Sequence, residues 1–226
     1  MRKLLIWGCG GHAREVAHLC TDLDVEILGF LDERPEWRDR IVDDLPVLGD
    51  LDDVMSLKSG AEVVCAGVGD PALKLKFYNK TLSRGFRVAA PLIHPGVKIG
   101  RRVEIGLGTV ICEGSLLTTG IHIGVCVILN RLSNISHDCA IGDFVTVSPG
   151  VNVSGNVSIG EGAYLGTGAS IREKVMIGEW AVVAGGAFVC SNVSSATMVA
   201  GVPARCKKGV SKGAIWLSGG GANTVS

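Results

Sequence analysis

The chain has 226 residues, of which 47% are apolar and only 5% aromatic, and it contains 32 glycines. Its 22 basic and 22 acidic residues balance, which argues against the basic surface of a nucleic-acid-binding protein and against an acidic disordered tail. No apolar stretch reaches the ~18 residues of a membrane span, and the apolar run after the N-terminal basic residues is too short for a signal peptide. We therefore expect a cytoplasmic protein that contacts neither nucleic acid nor membrane.

Strand-like and helix-like segments alternate over residues 1–90. Strands are predicted over residues 3–7, 26–31, 62–68 and 86–89, and helices over residues 13–21, 51–57 and 71–84. This alternation predicts a small parallel α/β sheet that forms a first domain over residues 1–90.

A glycine-rich turn, GCGGHA at residues 8–13, follows the first predicted strand and precedes the first predicted helix. With Asp32 at the end of the second strand, it fits the G-x-G-x-x-[GA] pattern of nucleotide-binding βαβ units. A region of about 85 residues is only half of a full doubly wound domain, so we expect one mononucleotide site rather than a complete NAD site. A purely structural turn is the third interpretation.

A six-residue period begins at Ile93. All seventeen positions reached by steps of six from residue 93 to residue 189 hold Ile, Leu or Val, and small or β-branched residues recur four places on. This pattern predicts a hexapeptide β-helix over residues 91–206, whose coils bury a continuous core. The register does not slip, so no loop is inserted in the repeat. Residues 207–226 lose the period, and we expect a flexible tail there.

One histidine stands out within the repeat. The known hexapeptide solenoids, which this repeat resembles, are left-handed and triangular with three hexapeptides per coil, so residues eighteen apart would stack about 4.8 Å apart. His137 would then lie under Gly155, and it also has an acidic neighbour, Asp138, and Asn130 seven residues before it. The alternative is a solvated histidine at a coil corner.

A metal site is not expected. A solenoid hydratase of the carbonic-anhydrase type needs three converging histidines. His122 and His137 are fifteen residues apart rather than eighteen, so they would not stack.

Four segments carry a family resemblance: IWGCGGHA near the N-terminus, GFLDE at 29–33, VILNRLSNISHDCAIGDF, and VAGVPAR at 199–205. From Leu4 to about Lys208 the chain resembles the NeuD-like sugar acyltransferases, which include enzymes that N-acetylate nucleotide-linked 4-amino sugars of the bacillosamine and perosamine type. The resemblance implies a Rossmann-like α/β domain followed by a left-handed β-helix. It also implies a homotrimer with active sites between subunits.

The resemblance assigns roles to individual residues. It implies that His137 is the general base for direct attack on the acetyl-CoA thioester, that Asp138 orients it, and that the Gly155 amide stabilises the oxyanion. Many relatives carry glutamate where this chain has Asp138. The other implied residues are, for the substrate, Gly10, Gly11, His12, Asp32, Glu33, Gly69, Asp70 and Asn130, and, for acetyl-CoA, Thr146, Gly155, Thr167 and Gly185.

The function expected on this basis is transfer of an acetyl group from acetyl-CoA to the amino group of a nucleotide-linked amino sugar, without a metal. The glycine-rich turn would then bind the pyrophosphate of that nucleotide sugar at a helix N-terminus. O-acetylation of a sialic-acid-like sugar is the alternative enzyme activity, because the same base would serve it. A non-catalytic scaffold would have no use for Asn130, His137 and Gly155 together.

Overall fold

The structure, a computed structural model, describes residues 1–211. Its N-terminal part contains β1 (Arg2–Trp7), α1 (Gly11–Cys20), β2 (Val25–Leu31), a 3₁₀ turn (Pro35–Trp37), the hairpin β3 (Ile41–Val42) and β4 (Leu45–Pro46), a 3₁₀ helix (Leu51–Leu57), β5 (Glu62–Val64), a 3₁₀ turn (Cys65–Gly67), α2 (Pro71–Ser83) and β6 (Arg87–Val88). The main sheet has the order β2-β1-β5-β6, and all its strands are parallel. The predicted small parallel α/β sheet is confirmed.

The third predicted strand is wrong in its length. It was expected over residues 62–68, but β5 ends at Val64 and residues 65–67 turn across the end of β1. The approach is so close that a Cβ on Gly67 would lie 2.1 Å from the carbonyl oxygen of Trp7. The unbroken apolar run concealed this turn, because periodicity alone does not distinguish a short buried strand from a buried helical segment.

The remaining strands build the predicted β-helix. They are β7 (Leu92–Ile93), β8 (Lys98–Ile99), β9 (Val103–Ile105), β10 (Val110–Ile111), β11 (Leu116–Leu117), β12 (Ile121–Ile123), β13 (Ile128–Leu129), β14 (Asn134–Ile135), β15 (Ala140–Ile141), β16 (Thr146–Val147), β17 (Asn152–Val153), β18 (Ser158–Ile159), β19 (Tyr164–Leu165), β20 (Ser170–Ile171), β21 (Met176–Ile177), β22 (Val182–Val183), β23 (Phe188–Val189), β24 (Thr197–Ala200) and β25 (Arg205–Gly209).

Three parallel sheets form the sides of this β-helix. The first contains β7, β10, β13, β16, β19, β22 and β24, the second runs from β8 to β23, and the third runs from β9 to β21. Residues pair eighteen apart from Leu92↔Val110 to Ser170↔Phe188, and only the last coil is shorter, with Val182 opposite Met198. The antiparallel strand β25 closes the first sheet and continues past the start of the predicted tail. Residues 212–226 of that tail lie outside the described part of the chain.

The α/β unit covers the first sheet of the β-helix. The outward side chains of Leu92, Val110 and Ile128 are fully buried and share one core with α1 and β1. Two polar contacts fasten the other side: Thr146 Oγ1 donates to Gly69 O at 2.7 Å, and Lys74 Nζ donates to Val145 O at 2.8 Å. Within residues 1–211, no helix has the length and apolar character needed to cross a membrane.

Lys74 contributes a contact to this packing, but burial of its amino group destabilises the folded state. Its side chain is fully buried with no carboxylate bonded to its ammonium group, and desolvation lowers its pKa to about 7. An unfolded lysine keeps its proton up to about pH 10.4. Between these values the unfolded chain binds more protons than the folded one, so this lysine makes stability rise with pH.

We predict that Lys74→Met raises the free energy of unfolding at pH 7 by about 1–3 kcal/mol, because the buried amine is replaced by a side chain that needs no desolvation. Val145 O keeps a second donor, Ile128 N at 3.0 Å, so it is not left unpaired. The gain should shrink toward pH 10, where the unfolded lysine also begins to lose its proton. Urea unfolding at pH 7 and pH 9.5 measures this, with the exposed Lys58→Met as control. Equal destabilisation by Lys74→Met at both pH values would contradict it.

Candidate active site

A cleft of about 710 Å³ lies between the α/β unit and the first sheet of the β-helix. Its α/β side consists of residues 8–12, 32–34 and 67–70, which follow β1, β2 and β5. Strand β2 lies on one side of β1 and strand β5 lies on the other side, so the strand order reverses at β1. The cleft lies at this topological switch point, where open α/β sheets bind ligands.

The glycine-rich turn leaves the start of α1 open to this cleft. Gly8 has a φ of +88°, and a Cβ there would lie 2.8 Å from Val68, so glycine is required for the turn. Gly10 precedes α1 without any side-chain cap, and a Cβ on Gly10 or Gly11 would meet nothing within 4 Å. The first amides of α1 are therefore available to an anion.

Asp32, the predicted ribose-binding acid, is already engaged inside the protein. Arg34 donates to its carboxylate from Nε at 2.9 Å, from a terminal guanidinium nitrogen at 2.8 Å and from the backbone at 3.0 Å. Burial opposes ionisation of Asp32, but these hydrogen bonds outweigh it and hold the pKa of the carboxyl below its usual value. Arg34, which sequence reasoning missed, lies at the cleft with its guanidinium over the Trp37 ring.

A thiol also touches this carboxylate. Cys9 Sγ lies 3.1 Å from Asp32 Oδ2 and donates to it. Burial, together with the adjacent Asp32, raises the pKa of Cys9 to about 12. The thiol therefore keeps its proton and acts as a hydrogen-bond donor rather than as a nucleophile.

The other predicted acids of the cleft are also paired. Glu33 contacts Lys76 and Lys80, with Lys80 Nζ at 2.8 Å. Asp70 caps α2 by accepting two amides of its first turn at 2.8 and 3.1 Å. Each acid lining the α/β side of the cleft thus has its charge met by a cation or a helix N-terminus, which leaves the cleft able to accept an anionic ligand.

Several polar side chains line the β-helix side of the cleft. Asn130, Thr146 and Thr167 lie there as members of the predicted site, together with Ser148 and Tyr164, whose hydroxyl accepts from Ser148 Oγ at 3.1 Å. Sequence reasoning missed the last two. The outward positions of the first sheet change from aliphatic at residues 92, 110 and 128 to polar at 146 and 164, and that change was a usable signal.

His137 lies elsewhere on the surface. It belongs to the corner between β14 and β15, whereas Asn130 belongs to the corner between β13 and β14, and neither His137 nor Asp138 lines the cleft. His137 Nδ1 lies 2.9 Å from Asp138 Oδ2. A carboxylate that accepts a hydrogen bond from Nδ1 leaves Nε2 as the ring nitrogen able to act as a base.

Gly155 lies directly over the ring, as the eighteen-residue stacking predicted. A Cβ on Gly155 would be 2.5 Å from His137 Nε2, so only glycine leaves room for the imidazole. Gly185, also predicted to bind acetyl-CoA, stacks over Thr167, since its Cβ would lie 3.2 Å from Thr167 O. The single chain therefore presents the cleft and the histidine as two separate groups.

The residues from 1 to 211 contain no group of three or more His, Cys, Asp or Glu side chains placed to hold a metal ion. His122 Nδ1 instead lies 3.2 Å from Glu104, the residue one coil below it.

Comparison with known proteins assigns the family. Residues 3–81 match the PglD N-terminal domain, and comparison with curated protein sequences finds no significant match. The structure is similar to the acetyltransferase domain of PglB from Neisseria gonorrhoeae in complex with acetyl coenzyme A, at 31% identity over 91% of this chain and 99% of that one, with a TM-score of 0.84.

Two further structures are similar over a comparable length. One is a perosamine N-acetyltransferase variant from Caulobacter crescentus in complex with CoA and GDP-perosamine, at 28% identity over 92% of this chain and 98% of that one, with a TM-score of 0.85. The other is WeeI from Acinetobacter baumannii, at 28% identity over 92% of this chain and 100% of that one, with a TM-score of 0.81. With this likeness in sequence and fold along nearly its whole length, the chain belongs to the NeuD-like family of left-handed β-helix sugar acyltransferases.

Proposed function

We propose that the protein transfers the acetyl group of acetyl-CoA to the amino group of a nucleotide-linked amino sugar. The observation that carries this proposal is the pairing of His137 with Asp138 beneath a glycine, on a β-helix that also borders a phosphate-compatible cleft. The ligands named for the similar structures, acetyl-CoA and GDP-perosamine, support the same two substrate classes. Residues 1–90 would bind the nucleotide and residues 91–206 would carry the acetyl transfer.

The chemistry follows from the tautomer of His137. The amine nitrogen attacks the thioester carbonyl carbon while Nε2 removes the amine proton, and the Asp138 carboxylate stabilises the imidazolium that forms. The backbone amide of Gly155 is the proposed donor to the oxyanion. When the tetrahedral intermediate collapses, the C–S bond breaks and the CoA sulfur takes the proton from the imidazolium.

Because the cleft and His137 lie apart in one chain, a complete active site requires two subunits. We propose a homotrimer in which the cleft of one subunit, with Gly10, Gly11, His12, Arg34 and Asn130, meets His137 of the next. Head-to-tail contacts of this kind close into a ring when the rotation per subunit is one third of a turn. Acetyl-CoA would lie along the coil corners near Thr167 and Gly185.

The first prediction concerns turnover. Acetyl transfer, followed through the CoA thiol released, should occur with one member of a panel of UDP-, GDP- and dTDP-linked 4-amino sugars. His137→Asn should lower kcat about 10²–10⁴-fold, the usual contribution of a general base, while acetyl-CoA still binds. His18→Asn, at an exposed position of α1, is the matched control and should keep full activity.

Other outcomes of that assay point elsewhere. Turnover on free sialic acid alone would move the proposal to O-acetylation. No turnover on any acceptor, with no binding of acetyl-CoA, would indicate a non-catalytic β-helix.

The second prediction concerns the space over the histidine. Gly155→Ala should lower kcat by roughly tenfold or more, because the new methyl group displaces the imidazole and misplacement by about 1 Å can cost up to a hundredfold. The folded state should persist, since Gly155 has no left-handed backbone angle. Steady-state kinetics and thermal melts test this, with Gly60→Ala as control because a Cβ at Gly60 meets nothing within 4 Å. Wild-type kcat in Gly155→Ala would mean that His137 does not act in the position seen here.

A further inference from the structure

His12 is the most unusual polar side chain of the cleft. It is the second residue of α1 and lines the cleft beside Gly10 and Gly11. Its Nε2 is buried and has no hydrogen-bond partner among the residues that the structure describes. Buried polar atoms in folded proteins are nearly always paired, so an unpaired one beside a cleft is a candidate ligand contact.

The other ring nitrogen of His12 is held by the next turn of the helix. His12 Nδ1 lies 3.5 Å from Glu15 Oε2. The second oxygen of Glu15 lies 2.9 Å from a guanidinium nitrogen of Arg131, in the β-helix, 116 residues away in sequence. This chain of three side chains therefore joins α1 to the coil corner that also contains Asn130.

Glu15 is the negatively charged residue between His12 and Arg131. The contact with His12 and the ion pair with Arg131 outweigh burial and lower the pKa of Glu15 to about 2. The Glu15 carboxylate thus accepts a hydrogen bond from Arg131 at one oxygen and has Nδ1 of His12 near the other. His12 lines the cleft, and its Nε2 is the ring nitrogen without a partner.

We propose that Glu15 and Arg131 are positioning residues that hold His12 so that its Nε2 binds the diphosphate of the nucleotide ligand. This inference rests on the proposed function. With Nδ1 turned to the carboxylate, Nε2 is the ring nitrogen left for the ligand, and a protonated Nε2 donates to a phosphate oxygen. The open amides at the start of α1 lie on the same side and favour the same anion.

The arrangement also explains why Arg131 belongs to the β-helix rather than to α1. A carboxylate beside an anion site would repel the ligand unless a cation neutralised it. Arg131 supplies that cation from the β-helix, so the contact that orients His12 forms only when the α/β unit is docked on the β-helix.

Binding of UDP, GDP and dTDP to the full chain by isothermal titration calorimetry tests the proposal. For the diphosphate that binds most tightly, Glu15→Gln should raise Kd about tenfold and Arg131→Met about three- to tenfold, because both changes remove a charge that orients the ring. In a His12→Ala background, Glu15→Gln should change Kd less than twofold, since Glu15 acts only through His12. Arg14→Ala is the control, because Arg14 lies on α1 next to Glu15 but pairs with Asp43, which is outside that helix. This change should leave Kd unchanged.

Kinetics with the amino-sugar substrate separate a role in ligand positioning from a purely structural role, because KM and kcat are measured independently. Glu15→Gln should raise KM by a similar factor and leave kcat within twofold, because only ligand binding is affected. If the wild type binds a diphosphate and Glu15→Gln binds it equally well, or loses a further tenfold in the His12→Ala background, the positioning role is wrong. If the wild type binds none of the three diphosphates, the proposed function itself fails and this inference fails with it.

Discussion

The eighteen-residue coil is the constraint on which the candidate site depends. Stacking at this interval places Gly155 above His137, and it places Gly120 beside Asp138, whose Oδ1 lies 2.7 Å from where a Gly120 Cβ would be. The histidine and its acid are therefore held between glycines of the two adjacent coils. Because a shift of one residue moves side chains to the other face of a strand, an insertion between Gly120 and Gly155 would turn this pair out of register with its neighbours.

Docking of the α/β unit is the second constraint, and it sets what the cleft can bind. Aliphatic side chains on the outer face of the first sheet drive the packing, and the polar contacts of Lys74 and Thr146 set its orientation. The position of the α1 N-terminus relative to the coil corners follows from this packing. The open start of α1 and the placement of Arg131 and Asn130 are consequently parts of one arrangement.

The sequence predicted the fold well because its two strongest signals are local and periodic. Seventeen aliphatic residues at steps of six leave no alternative register, and a glycine turn between a strand and a helix is a short-range feature. The pairs that long-range packing creates could not be predicted: Arg34 covering Asp32 from two residues away required side-chain geometry, and the contact of Glu15 with Arg131 required knowledge of the docked units. The residues of the cleft and His137 were predicted as one site, and how they meet stays a proposal.

Subunit complementation tests the central claim most directly. His137→Asn removes the base, and Gly11→Asp places a carboxylate at the open start of α1, where the diphosphate would bind. Each variant alone should be nearly inactive. If every site takes its cleft from one subunit and its histidine from the next, an equal mixture refolded together should recover roughly a quarter of wild-type activity, since half of the clefts and half of the histidines are intact and combine at random. Mixed oligomers that form, as judged by native mass spectrometry, and yet show no more activity than either variant alone would contradict a site shared between subunits.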